Sequence, residues 1–148
     1  MNRSIRAFMI WVLKYFSNST ALYEEPSPFP RYTQGQADEA VAAMVEMGIL
    51  KLGSLAMAVA DTGSEDSIVD AGHFFIAEPL VPTDAVNLYI GDWVIADSRV
   101  GWRAHHIVEM YVNGGAIEIK TRGTNCIKDD PEITHPEDLR YLIRGLLY

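Results

Sequence analysis

The sequence predicts an α+β protein, with helices in the first part of the chain and a compact, mainly antiparallel β domain in the second. Apolar residues recur at helical spacing after Thr33, whereas beyond Gly91 short apolar runs are separated by turns and alternate with polar residues. Apolar residues make up 49% of the chain, enough for a hydrophobic core and too much for a disordered protein. We expect a helical subdomain at 1–60, an acidic linker at 61–70 and the β domain at 71–148.

The first apolar stretch, residues 4–17, predicts a helix. Its uninterrupted apolar run, 7–13, is much shorter than the ~20 residues that a membrane span requires. We therefore expect a core or interface helix, with a membrane anchor or secretion signal as the less favoured alternative. The proline-rich segment 24–32 predicts an extended spacer, because each proline removes a backbone donor and holds the chain near polyproline geometry.

The clearest helix begins after Thr33. Thr33 and Gln36 fit a capping box, in which each side chain satisfies a free amide at the helix start. Gly48 is expected to end the helix in the left-handed conformation. Beyond it, segments 49–52 and 55–59 predict a short hairpin. The expected buried stripe of the helix is Ala37, Ala40, Val41, Met44 and Val45.

A helix, a second helix and a short hairpin in this order weakly resemble a winged-helix domain over residues 1–60. A DNA-reading helix would expose arginine or lysine to reach bases and phosphates. The exposed side of this helix instead carries Asp38, Glu39 and Glu46. The pattern favours protein contact, or simply a helical subdomain, over DNA binding.

The net charge of −8 lies entirely in the second part of the chain, because residues 1–60 carry five basic and five acidic groups. An acidic surface excludes nucleic acid as a partner of the C-terminal half, since phosphate binding needs lysine and arginine. The single Cys126 excludes an internal disulfide and is compatible with a reducing, cytoplasmic location. The carboxylates of 61–70 lack the spacing of a calcium loop, and no cofactor is indicated.

The β domain is built from short apolar segments and turns. Asn113, Gly114 and Gly115 tolerate positive φ, as a tight hairpin requires. Residues 101–103 form a basic and aromatic segment that we expect to be a loop. His105 and His106 follow it at a strand start, and neighbouring strand residues point to opposite faces, which counts against a two-histidine metal site. The predicted strands are 74–76, 93–96, 105–112, 116–120 and a closing strand at 141–147.

Five short motifs in roughly the last sixty residues, and their order and spacing, resemble the C-terminal half of the signal peptidase I family, in its archaeal and endoplasmic-reticulum branch. The resemblance implies a β fold that holds peptides in extended form. It also implies that His105 matches the general base and Asp130 the acid that orients it. The motifs are Gly91-Asp92, His105-His106-Ile107-Val108, Thr121-Arg122-Gly123-Thr124-Asn125, Asp130 and Ile143-Arg144-Gly145.

The chain departs from the family pattern at the nucleophile. The family has a serine in Ser-Met-x-Pro before its Gly-Asp turn, whereas residues 78–87 contain neither serine nor methionine. Counting back from the turn at family spacing reaches Thr83, and matching the Pro-Thr pair reaches Pro79. Thr83 is the candidate nucleophile, because threonine hydroxyls attack when a base is adjacent. His106 stands where the family has arginine, and Thr124 where it has aspartate.

Three functions are compatible with these features. The first is a degenerate signal-peptidase-like domain that binds an extended peptide or protein partner without proteolysis. The second is an active serine- or threonine-type peptidase that uses His105 and Asp130 with Thr83 or an unexpected serine. The third is a structural or inhibitory interaction protein, for instance a viral one in the host cytoplasm, with an acidic surface facing a basic partner. A hydrolase that uses Cys126 is less favoured, since reactive thiols prefer helix starts or cationic surroundings.

Overall fold

The computed structural model describes residues 31–60, 69 and 71–148. The helix predicted at 4–17 and almost all of the linker at 61–70 lie outside these residues. The described part contains one α-helix and six strands, together with two short 3₁₀ helices, Pro82–Asn87 and Pro136–Asp138. The elements are α1 Gln34–Glu46, β1 Leu55–Ala58, β2 Phe74–Pro79, β3 Trp93–Ser98, β4 Gly101–Asn113, β5 Ala116–Arg122 and β6 Leu139–Leu147.

The six strands form one sheet in the order β1-β2-β6-β3-β4-β5, and every neighbouring pair is antiparallel. The α+β class is therefore confirmed. The last strand, β6, lies inside the sheet and pairs with β2 on one side and β3 on the other. The strand predicted at 141–147 is confirmed as β6. It was expected to close the sheet, whereas it lies inside the sheet. Its interior position depends on pairing between distant parts of the chain.

The predicted ends of α1 are confirmed. The Thr33 backbone N–H donates to Gln36 Oε1 at 2.9 Å, and Thr33 Oγ1 accepts from the Gln36 N–H at 3.4 Å. The helix ends at Glu46, and Gly48 takes a φ of 70°, a left-handed conformation that suits glycine. Ala37 and Val41 are its fully buried residues, as the stripe predicted.

The hairpin predicted from 49–52 and 55–59 is wrong. Residues 49–52 form a turn, and β1 pairs instead with β2, with Ala56 opposite Ile76. The reason is burial: Leu50 packs beneath α1, and the Lys51 N–H donates to Glu78 of β2 at 3.2 Å. The described residues therefore do not form the hairpin that a winged helix requires, and they join the same sheet as the β domain.

The segment 101–103, expected to be a loop, belongs to β4. Register pairing with β3 runs from Trp93 opposite His106 to Ser98 opposite Gly101, so the strand begins four residues earlier than predicted. The turn after β4 is confirmed, because Gly114 and Gly115 have φ values of 58° and 87°. The longer strand places Arg103 on the same face as His105, two residues away.

The core consists of two hydrophobic clusters that lie along the sheet. One is centred on β3, β4 and β5 and is covered by the first 3₁₀ helix. The other lies between α1 and the strands β1 and β2. Among the described residues, no helix is long and apolar enough to cross a membrane. The first cluster is Ala85, Leu88, Val94, Ala96, Ile107, Ile119 and Leu139, and the second is Ala37, Val41, Leu50, Ala56, Phe74 and Ile76.

Ile107→Ala is expected to lower the free energy of unfolding by about 2–5 kcal/mol, because Ile107 is 0% exposed and the substitution leaves a cavity. The matched control is Ile127→Ala, since Ile127 is 53% exposed, and its effect should stay within about 0.5 kcal/mol. Urea denaturation followed by circular dichroism measures both changes. Equal losses in the two variants would show that the first cluster is not the stabilising core.

Candidate functional site

The structure brings together His105 and Asp130, the two site residues that the motifs predict. His105 lies on β4 opposite Val94 and is 7% exposed. Asp130 lies in the loop that follows β5. The His105 Nδ1 atom is 2.8 Å from Asp130 Oδ2, which is the length of a charge-assisted hydrogen bond.

The end of β5 positions Asp130. The Asp130 backbone N–H donates to the Thr121 carbonyl at 2.8 Å, which holds the loop against the strand. The Thr121 hydroxyl donates to Asp130 Oδ2 at 2.5 Å. Thr121 pairs with Ile107, two residues beyond His105, so alternation along β4 places the side chains of Thr121 and His105 on one face.

A second cation reaches the same carboxylate. Arg103 Nε lies 3.3 Å from Asp130 Oδ2, and the guanidinium lies 3.8 Å from the Glu132 carboxylate. Arg99 approaches Glu132 from the other side at 3.4 Å. Two arginines of the β3–β4 hairpin therefore hold the loop that carries Asp130. Two hydrogen bonds, from His105 and Thr121, and the charge of Arg103 therefore converge on one carboxylate oxygen.

The surroundings of Asp130 keep it ionised. Burial by itself would raise its pKa, but the hydrogen bonds from His105 and Thr121 and the positive charge of Arg103 outweigh burial and lower the pKa. An ionised carboxylate is an acceptor only, so the proton of this hydrogen bond belongs to His105 Nδ1. A carboxylate that accepts from the Nδ1–H holds the imidazole ring in one orientation.

The third predicted site residue, Thr83, makes no hydrogen bond with His105 or Asp130 in the part of the chain that the structure describes. Thr83 is exposed in the 3₁₀ helix Pro82–Asn87, and its side chain makes no hydrogen bond with any residue that the structure describes. The alternative motif position, Pro79, is the last residue of β2 and pairs with Tyr141. Two strands, β6 and β3, lie between β2 and the strand of His105. Neither position supplies a hydroxyl to the imidazole.

His106 differs from its neighbour. It pairs with Trp93 on one side and Arg122 on the other, and its Nδ1 atom is buried without a hydrogen-bond partner within the described residues. Burial lowers the pKa of His106, and the nearby positive charge of Arg122 lowers it further. His106 is therefore neutral at pH 7. The described residues contain no group of three His, Cys, Asp or Glu side chains arranged to hold a metal ion.

Sequence reasoning missed two contributors to the site, Arg103 and the side chain of Thr121. Arg103 was assigned to a loop, and only its inclusion in β4 reveals that it shares a face with His105. Thr121 was recognised as part of a motif, without a role. The sequence did contain a signal for Arg103. If the strand of His105 is extended two residues upstream, alternation places Arg103 on the same face as His105. Cys126 is buried, which disfavours the reactive thiol considered above.

No protein-family model matches the chain, and neither the curated proteins nor the solved structures contain a match. The resemblance to signal peptidase I therefore stays a prediction from the sequence motifs.

Asp130→Asn is expected to lower the free energy of unfolding by about 1–3 kcal/mol at pH 7, because it weakens three hydrogen-bonding or ionic contacts to one buried oxygen. The folded-state pKa of Asp130 is lowered, so its ionised form stabilises the fold above the unfolded pKa of about 3.9. This contribution disappears as the pH falls through the lower folded-state pKa. The difference between wild type and variant should therefore shrink on acidification.

Urea denaturation at neutral and acidic pH measures this change. Asp129→Asn is the matched control, since Asp129 is exposed and its one ion pair among the described residues is a 3.5 Å contact with Arg122. Its effect should be below about 1 kcal/mol. A loss in Asp130→Asn that is the same at both pH values would contradict the ionised pair.

Proposed function

We propose that this chain is a signal-peptidase-like domain that binds an extended peptide or protein partner and does not cleave it. The motifs of its last sixty residues and the antiparallel sheet support the first part of the proposal. The second part is supported by Pro79 and Thr83, the residues at the two possible nucleophile positions of the motif. A reducing compartment such as the cytoplasm suits the single buried cysteine.

One observation carries the proposal. His105 and Asp130 are arranged like the base and the orienting acid of a catalytic triad, whereas neither motif position supplies a nucleophile to them. His105 and Asp130 are joined at 2.8 Å, and Thr121 and Arg103 support the carboxylate. Pro79 has no hydroxyl, and the Thr83 side chain makes no hydrogen bond with either member of the pair among the described residues. A histidine base accelerates acyl transfer only when the attacking hydroxyl lies within hydrogen-bond reach.

Binding of an extended partner requires no nucleophile. A strand added to a sheet gains affinity from backbone hydrogen bonds and specificity from alternate side chains. The described part of this protein is dominated by one six-stranded antiparallel sheet, which offers such backbone groups at its edges. The acidic character of the chain, with a net charge of −8, favours partners that carry basic residues.

The decisive experiment combines a cleavage assay with a binding assay on the same peptide pools. Wild type, His105→Ala and His106→Ala are incubated with pools of synthetic peptides, and products are identified by mass spectrometry. Binding is measured on the same pools by affinity selection against immobilised protein. We expect bound peptides to be recovered intact, with no cleavage above that of His105→Ala. We also expect no labelling by a fluorophosphonate probe.

The second candidate function, an active peptidase, is favoured by the ordered His105–Asp130 pair. Cleavage by wild type and His106→Ala that is absent in His105→Ala would establish this function and overturn our proposal. Thr83→Ala and Thr83→Ser then identify the nucleophile: loss in the first and retention in the second would assign it to Thr83. The third candidate, a structural or inhibitory protein, predicts binding to a folded basic partner and no selection of extended peptides.

A further inference from the structure

We propose that the outer edge of β1 is where the extended partner pairs, and that the partner is a strand bearing basic side chains. This inference rests on the proposed function, because it names the edge and the chemistry by which an extended peptide binds. Three observations carry it. The chain itself covers the β5 edge, β1 contains no charged residue or proline, and the helix that packs on β1 is acidic.

The edge at β5 is already covered by the chain itself. The Ile119 N–H donates to the Thr134 carbonyl at 3.0 Å, and the Thr134 N–H donates to the Ile119 carbonyl at 2.9 Å. Asp130 adds a third backbone bond, to the Thr121 carbonyl at 2.8 Å. The segment after β5 therefore occupies the positions where an added strand would pair.

The backbone of β1 presents outward groups at Ala56 and Ala58. The Val59 N–H donates to the His73 carbonyl at 3.0 Å, which makes Val59 and His73 a hydrogen-bonded pair in the ladder with β2. Backbone groups alternate in direction along an antiparallel strand, so those of Ala58 and Ala56 point away from β2. The Gln34 amide confirms this direction, because it reaches the Ala56 carbonyl from outside at 3.3 Å.

Ala58 is the accessible member of this pair. It is exposed, and its outward N–H and C=O meet no hydrogen-bond partner in the part of the chain that the structure describes. The strand Leu55–Ala58 contains no charge and no proline, and its register with β2 has no bulge. Charges, prolines and bulges normally keep an edge strand from pairing, and β1 has none of them, although at four residues it is short. The strand therefore keeps the properties of a pairing template.

The helix beside this edge indicates the charge of the partner. α1 packs on β1 and carries three acidic residues, Asp38, Glu39 and Glu46, and no basic ones. Asp38 accepts from the same Gln34 amide at 2.8 Å, which places its carboxylate near the edge. A basic strand complements this charge. A second copy of the chain would instead bring two acidic helices together, so self-pairing is disfavoured.

This edge lies far from the candidate catalytic pair. Three strands, β2, β6 and β3, separate β1 from the strand of His105. At a strand spacing of about 4.8 Å, the separation is about 19 Å across the sheet. A peptide paired with β1 does not lie across the imidazole, which agrees with binding that leaves the peptide intact.

The test uses a fluorescein-labelled synthetic peptide of alternating lysine and valine, and the full chain as wild type, Ala58→Pro and Ala58→Ser. Proline removes the outward N–H and leaves the ladder with β2 intact, whereas serine keeps the N–H at similar size. By fluorescence anisotropy we expect wild type and Ala58→Ser to bind equally. Ala58→Pro should bind about tenfold more weakly, the effect of losing one or two hydrogen bonds.

Two further arms do not depend on a protein variant. The same probe with alternate backbone amides N-methylated cannot pair as a strand and should lose binding. A glutamate–valine probe should bind more weakly than the lysine–valine probe, because its charge is reversed. Hydrogen exchange followed by NMR should show the Ala58 amide protected when the lysine–valine probe is present, with the amides of β5 unchanged.

The outcomes separate this inference from the proposed function. Equal binding of the N-methylated probe, equal binding by Ala58→Pro, failure of the lysine–valine probe to bind or an unprotected Ala58 amide would overturn the assignment to the β1 edge. Equal binding of the glutamate–valine probe would overturn the basic partner. Protection of another segment by selected peptides would leave the proposed function standing. Failure of every peptide pool to bind would defeat both.

Discussion

The last strand of the chain joins the two halves of the sheet. β2 and β3 do not pair with each other in the described structure; each pairs with β6, which lies between them. The β1–β2 half, with α1 packed on it, and the β3–β4–β5 half, with the candidate site, therefore depend on one strand for their relative position. Leu139 and Leu142 of β6 contribute to the cluster beside the site, and Leu147 contributes to the cluster beneath α1.

Within the β3–β4–β5 half, the carboxylate of Asp130 connects β4 and β5 to the loop that follows β5. Burial of an unpaired charge is costly, and a carboxylate in a sheet-covering loop persists only when donors surround it. Here the donors come from β4, through Arg103 and His105, and from β5, through Thr121. The same contacts that orient the imidazole also fasten the loop, so the site and the cover of the β5 edge are one structural unit.

This unit covers the β5 edge of the sheet, and the β1 edge has no equivalent cover among the described residues. The loop that supplies Asp130 also supplies Thr134, whose backbone pairs with Ile119 and closes the edge next to the site. At the other edge, the one described side chain that hydrogen-bonds to the outward backbone of β1 is that of Gln34. The proposed function uses this difference, because an uncharged edge strand can pair with an extended partner without any nucleophile.

The sequence by itself determined the features that arise from contacts a few residues apart. These include the capping box at Thr33, the left-handed Gly48, the turn at Gly114 and Gly115, and the strands around His105. The pairing of His105 with Asp130 could be predicted only through the likeness of the motifs to a known family. Short-range steric limits and hydrogen bonds decide the local features, and both can be deduced from neighbouring residues.

The tertiary structure alone decided the partner of β1, the interior place of β6 and the role of Arg103. Backbone hydrogen bonds are the same for every residue type, so any strand is able to pair with any other. The choice depends on which apolar faces are buried together, such as Leu50 and Ala56 beneath α1. Those contacts join residues far apart in the chain, and their free energy becomes defined only when the whole sheet is assembled.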